Sequence, residues 1–153
     1  MTTPADFVID PPWARRPGRV GGVLFAGYRL HYGHPEGTET ADIVWRWLTD
    51  DADPFEGCVA RTPSGELIGL IHFRALPRPL SGKRGGYIDD AFVAEHYRGR
   101  GVADALFHAV AEIRRQRNWS DIRWITSEDN ARARAFYDRI ANLTAMRIYE
   151  IKL

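Results

Sequence analysis

The chain has 153 residues, of which 44% are hydrophobic and 27% charged, and its formal net charge is +1. This length suits a single domain over residues 1–153, and the balanced charge argues against a nucleic-acid or membrane partner. Cys58 is the only cysteine, which excludes an intrachain disulfide and a thiolate metal cluster and favours the reducing cytoplasm. No apolar run approaches about 18 residues and the start lacks an apolar leader, so we expect neither a membrane span nor a signal peptide.

The first third of the chain alternates short apolar stretches with loops rich in glycine and proline. An edge strand is predicted at Phe7–Ile9, and the stretch Trp13–Gly22 predicts a loop. Apolar residues at helical spacing predict helices over Val23–Tyr32 and Thr40–Leu48. The aromatic residues of the first helix suit either core packing or the wall of an acceptor site.

Acidic residues are concentrated around the second predicted helix. Seven acids lie between positions 36 and 56, against the single base Arg46. They are Glu36, Glu39, Asp42, Asp50, Asp51, Asp53 and Glu56. The pattern is typical of a solvated surface, and it also suits an acidic rim that attracts a cationic amine.

The middle of the chain predicts two strands and a loop. Strands are expected at Glu56–Arg61 and Leu67–Arg74, joined by a turn at Thr62–Gly65. The stretch Leu76–Gly86 contains two prolines, three glycines and three bases, which predicts a solvated loop or hairpin tip, with contact to an acceptor or a partner subunit as the alternative.

The second half predicts two strand–helix pairs and a closing strand. The elements are Tyr87–Val93, Val102–Arg117, Ile122–Thr126, Asn130–Ile140 and Ala145–Ile151. The alternation of strands and helices along the chain indicates an α/β domain in which helices cover both faces of a mixed sheet.

Two arginines and two glycines connect the apolar strand to the amphipathic helix that follows it. The linking residues are Arg98-Gly99-Arg100-Gly101, and the helix begins at Val102. Glycine permits a tight turn, and the first turn of a helix presents unpaired N–H groups that suit a phosphate. An anion-binding loop is therefore one interpretation, and a surface turn with solvated arginines is the other. The spacing matches neither a Walker loop nor a dinucleotide fingerprint.

These residues resemble a known family. The string Arg98-x-x-Gly101-x-Ala103, placed after Asp89-Asp90-Ala91-Phe92-Val93, resembles the acyl-CoA signature of the GNAT superfamily of N-acetyltransferases. Three further segments resemble that family's second motif in the same order, namely Trp124-Ile125-Thr126, Asn130 with Ala133, and Phe136-Tyr137-Asp138. The histone/polyamine acetyltransferase-like subgroup is the most similar.

The resemblance implies a fold and an activity. It implies a single GNAT domain with a mostly antiparallel mixed sheet and a V-shaped cleft between its two central strands. It also implies a homodimeric enzyme that moves an acetyl group from acetyl-CoA to a primary amine by direct attack in a ternary complex. A small cationic amine, such as a polyamine or an amino acid, is the expected acceptor.

The resemblance also implies which residues hold acetyl-CoA. The loop and helix start would bind the diphosphate, mainly through backbone N–H groups, at Arg98, Gly99, Arg100, Gly101, Val102 and Ala103. The backbone of Phe92 and Val93 would pair with the pantetheine arm, and one of their N–H groups would stabilise the oxyanion. Asn130 would contact the same arm, although a plain helix N-cap is equally consistent with its position.

Three residues are candidates for proton transfer and substrate binding. Tyr137, at the position of the family's motif tyrosine and on the inward face of the last helix, is the candidate general acid, with core packing as the alternative. Asp89 and Asp90 would face opposite sides of a regular strand, and a bulge, which this family often has, would change that. One acid would accept a proton from the ammonium and the other bind its charge, or an acid would simply pair with an arginine.

Some features depart from the family pattern or leave the function open. Ala141-Asn142 replaces the usual Gly-Phe after the motif tyrosine, and Ala103 stands for a glycine. The five histidines show no pair at metal-ligand spacing, so we predict no metal. Other functions considered are acetylation of a protein lysine or N-terminus, non-catalytic acyl-CoA binding, and RNA binding by the Arg/Gly segment; the last needs repeats that the sequence lacks.

Overall fold

The computed structural model describes residues 6–10 and 38–152, within which one five-stranded sheet and three α-helices are found. The strands, in their order across the sheet, are β1 (Val8–Asp10), β2 (Phe55–Arg61), β3 (Leu67–Arg78), β4 (Lys83–Val93) and β5 (Ile122–Arg123). The helices are α1 (Thr38–Thr49), α2 (Val102–Gln116) and α3 (Ala131–Ile140). The predicted loop Trp13–Gly22 and helix Val23–Tyr32 lie outside the described residues.

The sheet is mixed, with a helix against each face. Neighbouring strands are antiparallel except β4 and β5, which are parallel. On one face α2 buries Val102, Leu106 and Val110 in the main core cluster. On the other face α1 packs Val44 and Leu48 in a second cluster. The predicted fold class is therefore confirmed, and the helical periodicity of both helices explains why each buries a single side.

Close packing fixes the start of α2 against the sheet. Gly69 of β3 lies under it, and a methyl group at that position would come within 2.9 Å of the Val102 side chain and 3.1 Å of Leu106. The helix can approach this closely only because β3 has no side chain there. The first turn of α2 is thus held beside the end of β4.

β4 and β5 diverge and leave a cleft between them. They pair only at Gly86 with Ile122 and at Tyr87 with Arg123. β4 continues to Val93 without β5 beside it. The cleft predicted between the two central strands therefore exists, and it exposes one edge of the β4 backbone.

The β3–β4 hairpin is longer than the sequence predicts. The stretch Leu76–Gly86 is a hairpin tip, as one form of the prediction has it, but most of it is strand, because β3 pairs with β4 as far as Arg78 and Lys83, around a 3-10 turn at Pro79–Ser81. β2 begins opposite Arg74. Beyond that point β3 has a neighbour on one side only, and a proline such as Pro77 is tolerated at such an edge.

The end of the chain also differs from the prediction. β5 stops at Arg123 instead of Thr126, because the chain turns away from β4. The closing strand predicted at Ala145–Ile151 is wrong for this structure, since residues 141–152 lie outside any helix or strand. The pattern of those residues suits a strand, but a strand forms only where a sheet edge accepts it.

None of the helices among the described residues has the length and apolar character needed to cross a lipid bilayer.

Candidate active site

A cavity of about 550 Å³ opens where β4 leaves β5. Its walls are the end of β4, the loop before α2, the first turn of α2 and one face of α3. Nine of the ten predicted acetyl-CoA contacts line it: Phe92, Val93, Arg98, Gly99, Gly101, Val102, Ala103, Asn130 and Tyr137. The fold therefore brings together residues that are up to 45 positions apart in the sequence.

The loop before α2 has the geometry of an anion site. Gly99 and Gly101 have φ angles of 74° and 80°, in the left-handed region that glycine adopts most readily. The first helical hydrogen bond runs from the Ala105 N–H to the Gly101 carbonyl oxygen at 3.0 Å. The preceding N–H groups, at Val102 to Asp104, have no acceptor within the helix and add to the positive end of its dipole.

The open edge of β4 presents one N–H group to the cavity near its end. The Ala94 N–H donates to the Ile68 carbonyl oxygen at 2.9 Å, towards β3. Because N–H groups alternate between the two sides of a strand, the Val93 N–H points away from β3, towards the cavity. Of the two residues predicted to supply an oxyanion donor, the register favours Val93 over Phe92.

The two arginines of the loop differ in their contacts. Arg98 Nε donates to the Val93 carbonyl oxygen at 3.1 Å, and its guanidinium lies 5.9 Å from the Phe92 ring centre. It therefore fastens the loop to β4. Arg100 is exposed and lies over the Tyr97 ring, outside the cavity lining. Of the ten predicted cofactor contacts, Arg100 is the one that does not line the cavity.

Asn130 and Tyr137 are positioned by α3. The Asn130 side-chain oxygen accepts a hydrogen bond from the Ala133 N–H at 3.2 Å, so Asn130 is the N-cap of the helix, and its amide N–H donors can still face a ligand. The half-buried Tyr137 ring lies 5.3 Å from Trp124 and 5.7 Å from Phe107. These rings fix the orientation of the Tyr137 side chain. Tyr137 therefore both packs against the core and lines the cavity.

Three charged residues that the sequence analysis missed also line the cavity. Arg139 on α3 makes a two-pronged ion pair with Asp104 on α2, with N–O distances of 2.8 and 3.1 Å. This pair ties the two helices together and neutralises a carboxylate that would otherwise repel a phosphate. Arg132 adds a further positive charge to the same wall. Arg132 follows the N-cap Asn130 by two residues, and this spacing could have indicated that it lies on the cavity side of α3.

Asp89 and Asp90 lie at a β-bulge. His72 pairs with Asp90 and Phe73 pairs with Ile88, so Asp89 is the extra residue of β4. Asp89 accepts hydrogen bonds from Arg74 Nε at 3.0 and 3.2 Å. Both acids therefore pair with β3 side chains two positions apart, His72 and Arg74, which share a face of that strand. This is the arrangement that a bulge permits and a regular strand does not.

Asp90, which is partly exposed, pairs with the buried His72. The His72 Nδ1 lies 3.0 Å from an Asp90 carboxylate oxygen. The imidazole is 5% exposed and its ring centre lies 5.1 Å from that of Phe55, on the face that α1 covers. Sequence reasoning missed His72, because its pairing with Asp90 depends on the shifted register. In the part of the chain that the structure describes, no three His, Cys, Asp or Glu side chains converge on a metal position.

Partial burial alters the proton affinity of Asp89, whose side chain is 24% exposed. It raises the pKa of this carboxyl above its ordinary value, and the hydrogen bond and charge of Arg74 oppose that rise. The nearby Asp90 carboxylate also raises it, and His72 lowers it. A carboxylate with a raised pKa is a better proton acceptor than an ordinary surface aspartate.

The sequence of the chain matches a known protein family. Residues 24–142, well over half of the chain, match the model of the acetyltransferase (GNAT) family. The chain belongs to the GNAT family. Enzymes of this family use acetyl-CoA as a co-substrate.

Two curated relatives match this GNAT chain over part of their length. Rat N-acetyltransferase 8 is 28% identical over 89 residues, which is 58% of this chain and 39% of the relative. N-alpha-acetyltransferase 30 of Schizosaccharomyces pombe is 32% identical over 68 residues, 44% of this chain and 45% of the relative. The chain thus spans less than half the length of these two proteins.

Solved structures match it along nearly its whole length. A ribosomal-protein-alanine N-acetyltransferase from Brucella melitensis biovar Abortus 2308 is 25% identical, with a TM-score of 0.73, over 97% of this chain and 99% of that one. A probable acetyltransferase has a TM-score of 0.80 at 23% identity, over 96% and 97% of the two chains. The second likeness supports the fold alone.

Proposed function

We propose that this GNAT domain transfers an acetyl group from acetyl-CoA to a primary amine, most readily a small cationic amine. The observation behind the proposal is the cavity in which the open edge of β4 meets the start of α2. Those two features accept the two ends of one ligand. Backbone N–H groups suit a diphosphate, and an unpaired strand edge suits the amides of a pantetheine arm.

The residues present fit acetyl-CoA. The N–H groups at the start of α2, with Gly99 and Gly101 in left-handed conformations, would hold the diphosphate. Phe92 and Val93 would pair with the arm, and Asn130 would donate to it from its amide nitrogen. Arg98 orders the strand end, and Arg132 adds charge to the wall. The side chain of Arg100 is the least suited, since it lies outside the cavity lining.

The reaction then needs an oxyanion donor and a place for each proton. Asp90, fixed by His72, attracts the ammonium form of the acceptor, and Asp89 takes one proton from it, directly or through water, to leave a neutral amine. The amine nitrogen forms a bond to the thioester carbonyl carbon, and the Val93 N–H stabilises the negative charge on the carbonyl oxygen.

The carbon–sulfur bond then breaks, and Tyr137 gives its phenolic proton to the departing thiolate. The second proton of the nitrogen returns to the Tyr137 phenolate, and Asp89 releases its proton to water. The products are an N-acetylamine, coenzyme A and one proton.

A protein N-terminus is the second candidate acceptor. Two similar proteins are named as an N-alpha-acetyltransferase and a ribosomal-protein-alanine N-acetyltransferase. We favour the small cationic amine instead, because Asp89 and Asp90 lie together at the β4 bulge, beyond the residues that line the cavity, and two carboxylates suit a compact positive charge. The similarity to the histone/polyamine-like subgroup, the cytoplasmic location and the homodimer stay predictions of the same kind.

The test is thiol release from acetyl-CoA across a panel of polyamines, amino acids and short peptides with free N-termini. We expect turnover with at least one amine, and higher kcat/KM for compact cations than for peptides. Higher kcat/KM for the peptides would assign the second candidate. Tight acetyl-CoA binding by calorimetry, with no turnover for any member, would indicate a non-catalytic acyl-CoA-binding module.

A further inference from the structure

Arg74, beside the proposed proton acceptor, has hydrogen-bonding capacity that the protein does not use. Its Nε donates to both carboxylate oxygens of Asp89, at 3.0 and 3.2 Å. A guanidinium has five N–H donors, so the four on its two terminal nitrogens remain. Among the residues that the structure describes, none accepts from these four, and the side chain is 41% exposed. The terminal nitrogens of Arg74 are therefore open to a ligand.

Tyr87 fixes the orientation of the Arg74 guanidinium. Tyr87 is the cross-strand partner of Arg74, and the Arg74 Cζ atom lies 5.3 Å from the centre of the Tyr87 ring. The ring and the bond to Asp89 hold the guanidinium from two sides. Burial, and then the charge of Asp89, raise the pKa of Tyr87, so its ring stays neutral beside an anion. The terminal nitrogens thus form a fork of fixed direction, which suits a carboxylate.

Further along the same face of the sheet, guanidinium donors exceed their acceptors. Arg123 pairs with Tyr87, and Arg78 follows Arg74 by four residues, which places both on the face of Arg74. Both donate to the one carboxylate of Asp121, with N–O distances of 3.0 Å from Arg78 and 2.6 Å from Arg123. In the described part of the chain, the buried side-chain atom that has no hydrogen-bond partner is the Arg78 Nη2. A buried donor without an acceptor is costly, so the group that this face lacks is an anion.

A polyamine matches this arrangement poorly. Its second ammonium group would approach the guanidinium of Arg74, and like charges repel. An amine that also carries a carboxylate matches both halves of the Arg74–Asp89 pair, because its ammonium is attracted to Asp89 and its carboxylate to Arg74. Such a ligand would use the terminal nitrogens of Arg74, so the bond between Arg74 Nε and Asp89 is kept.

We propose that Arg74 selects the acceptor, and that the acceptor is a primary amine carrying a carboxylate, which the terminal nitrogens of Arg74 bind. This inference rests on the proposed function and narrows it, from cationic amines in general to amines that are zwitterionic. Arg74 binds the end of the acceptor that does not react. The chemical step at the amine is therefore the one already described.

The first test compares acceptors that differ only at the end away from the amine. They are linear ω-amino acids from glycine upwards, n-alkylamines and α,ω-diamines of matched chain length, whose distal groups are anionic, neutral and cationic. Binding is measured by calorimetry with coenzyme A present, because coenzyme A has no acetyl group to transfer. At the best chain length, we expect the ω-amino acid to bind about tenfold more tightly than the alkylamine, as for a charge-assisted hydrogen-bonded pair, and more tightly than the diamine.

Variants of Arg74 show whether this preference comes from its side chain. Arg74→Gln should bring the ratio of the ω-amino acid and alkylamine affinities to about one, and Arg74→Lys, which keeps the charge but not the fork, should restore part of it. The control is Arg61→Gln, because Arg61 Nε also donates to an aspartate, Asp10, at 3.0 Å, but from β2. It should leave the ratio as in the wild type. A purely structural role of Arg74 would weaken both ligands alike and would not change their ratio.

The inference is overturned if the alkylamine or the diamine binds as tightly as the ω-amino acid, if the ratio is unchanged in Arg74→Gln, or if no ω-amino acid binds. Failure of the proposed function gives a different result. Thiol release from acetyl-CoA would then be absent with every amine, while the ω-amino acid still bound to the wild type and lost affinity in Arg74→Gln.

Discussion

Tyr137 is the residue on which the proposed proton donation depends. Its ring is held by Trp124 and Phe107, so removal of the hydroxyl should leave the packing intact. We expect Tyr137→Phe to lower kcat by about 10²- to 10⁴-fold, the usual contribution of a positioned general acid. Acetyl-CoA affinity measured by calorimetry should stay within a few-fold of the wild type.

Tyr97→Phe is the matched control for this change. Tyr97 also lines the cavity, but its hydroxyl donates to Glu66 at 2.7 Å. Its substitution should therefore reduce kcat far less than that of Tyr137. Equal effects of the two substitutions, or full turnover in Tyr137→Phe, would remove Tyr137 from the mechanism.

The proposed role of Asp89 as proton acceptor can be tested through its partner Arg74. A proton acceptor must be ionised, so activity falls as pH drops through the pKa of Asp89. Arg74 lowers that pKa by its hydrogen bond and charge. Its replacement in Arg74→Gln should therefore raise the pKa, and the acid limb of the kcat/KM profile should move to higher pH.

Arg78→Gln supplies the comparison for the pH profile. Arg78 lies on the same strand but pairs with Asp121, at 3.0 Å. Its loss should leave the acid limb in place, whatever it does to stability. A shift in both variants, or in neither, would indicate that Asp89 is not the group that titrates.

Among the elements, the loop before α2 offers the sharpest test of ligand binding. Gly101→Asp introduces a side chain at a φ of 80° and a negative charge where a diphosphate would sit. We expect acetyl-CoA affinity to fall by more than about 100-fold, equivalent to roughly 2.7 kcal/mol. Gly65→Asp applies the same substitution at a φ of 94° in the β2–β3 turn, with open space around it. Only the first should lose binding, and calorimetry measures both; similar losses would point to backbone strain rather than to the anion site.

The elements that were predicted well are those whose sequence pattern lies within the element itself. The helices at Val102–Gln116 and Ala131–Ile140 follow from apolar residues at helical spacing and, for the second, from the cap at Asn130. The cavity-lining loop follows from the order of strand, glycines and helix. The ten cofactor contacts were predicted from the family resemblance, and nine of them line one cavity.

The features that could not be predicted from the sequence depend on which strands pair and in what register. The bulge at Asp89, and with it the pairing of Asp90 with His72, is set by a one-residue shift between β3 and β4. The predicted loop at Leu76–Gly86 forms strand because its partner continues alongside it. The tail at Ala145–Ile151 has a strand pattern but pairs with no strand among the described residues. In each case the missing information lies in another segment of the protein.

For the molecule as a whole, the buried thiol of Cys58 makes the free energy of unfolding decrease at alkaline pH. Burial in the main core raises the pKa of Cys58 from 9.0 to about 12. Between these values the unfolded chain loses the thiol proton and the folded chain keeps it, so the folded state binds more protons and the free energy of unfolding falls as pH rises. The contribution is fully present below pH 9, and its slope approaches about 1.4 kcal/mol per pH unit within the window.

Cys58→Ala isolates this contribution from that of every other titrating group. The variant will be less stable at neutral pH, because it removes buried volume, but it should lose less stability than the wild type between pH 9 and 11. Urea unfolding measures the pH dependence of the free energy of unfolding for both proteins. The protein concentration is kept the same throughout, so that any dimerisation contributes equally. Parallel pH profiles would mean that the Cys58 thiol ionises as easily in the folded protein as in the unfolded chain. The sheet centre would then be open to water, in conflict with an exposed fraction of 1% for this residue.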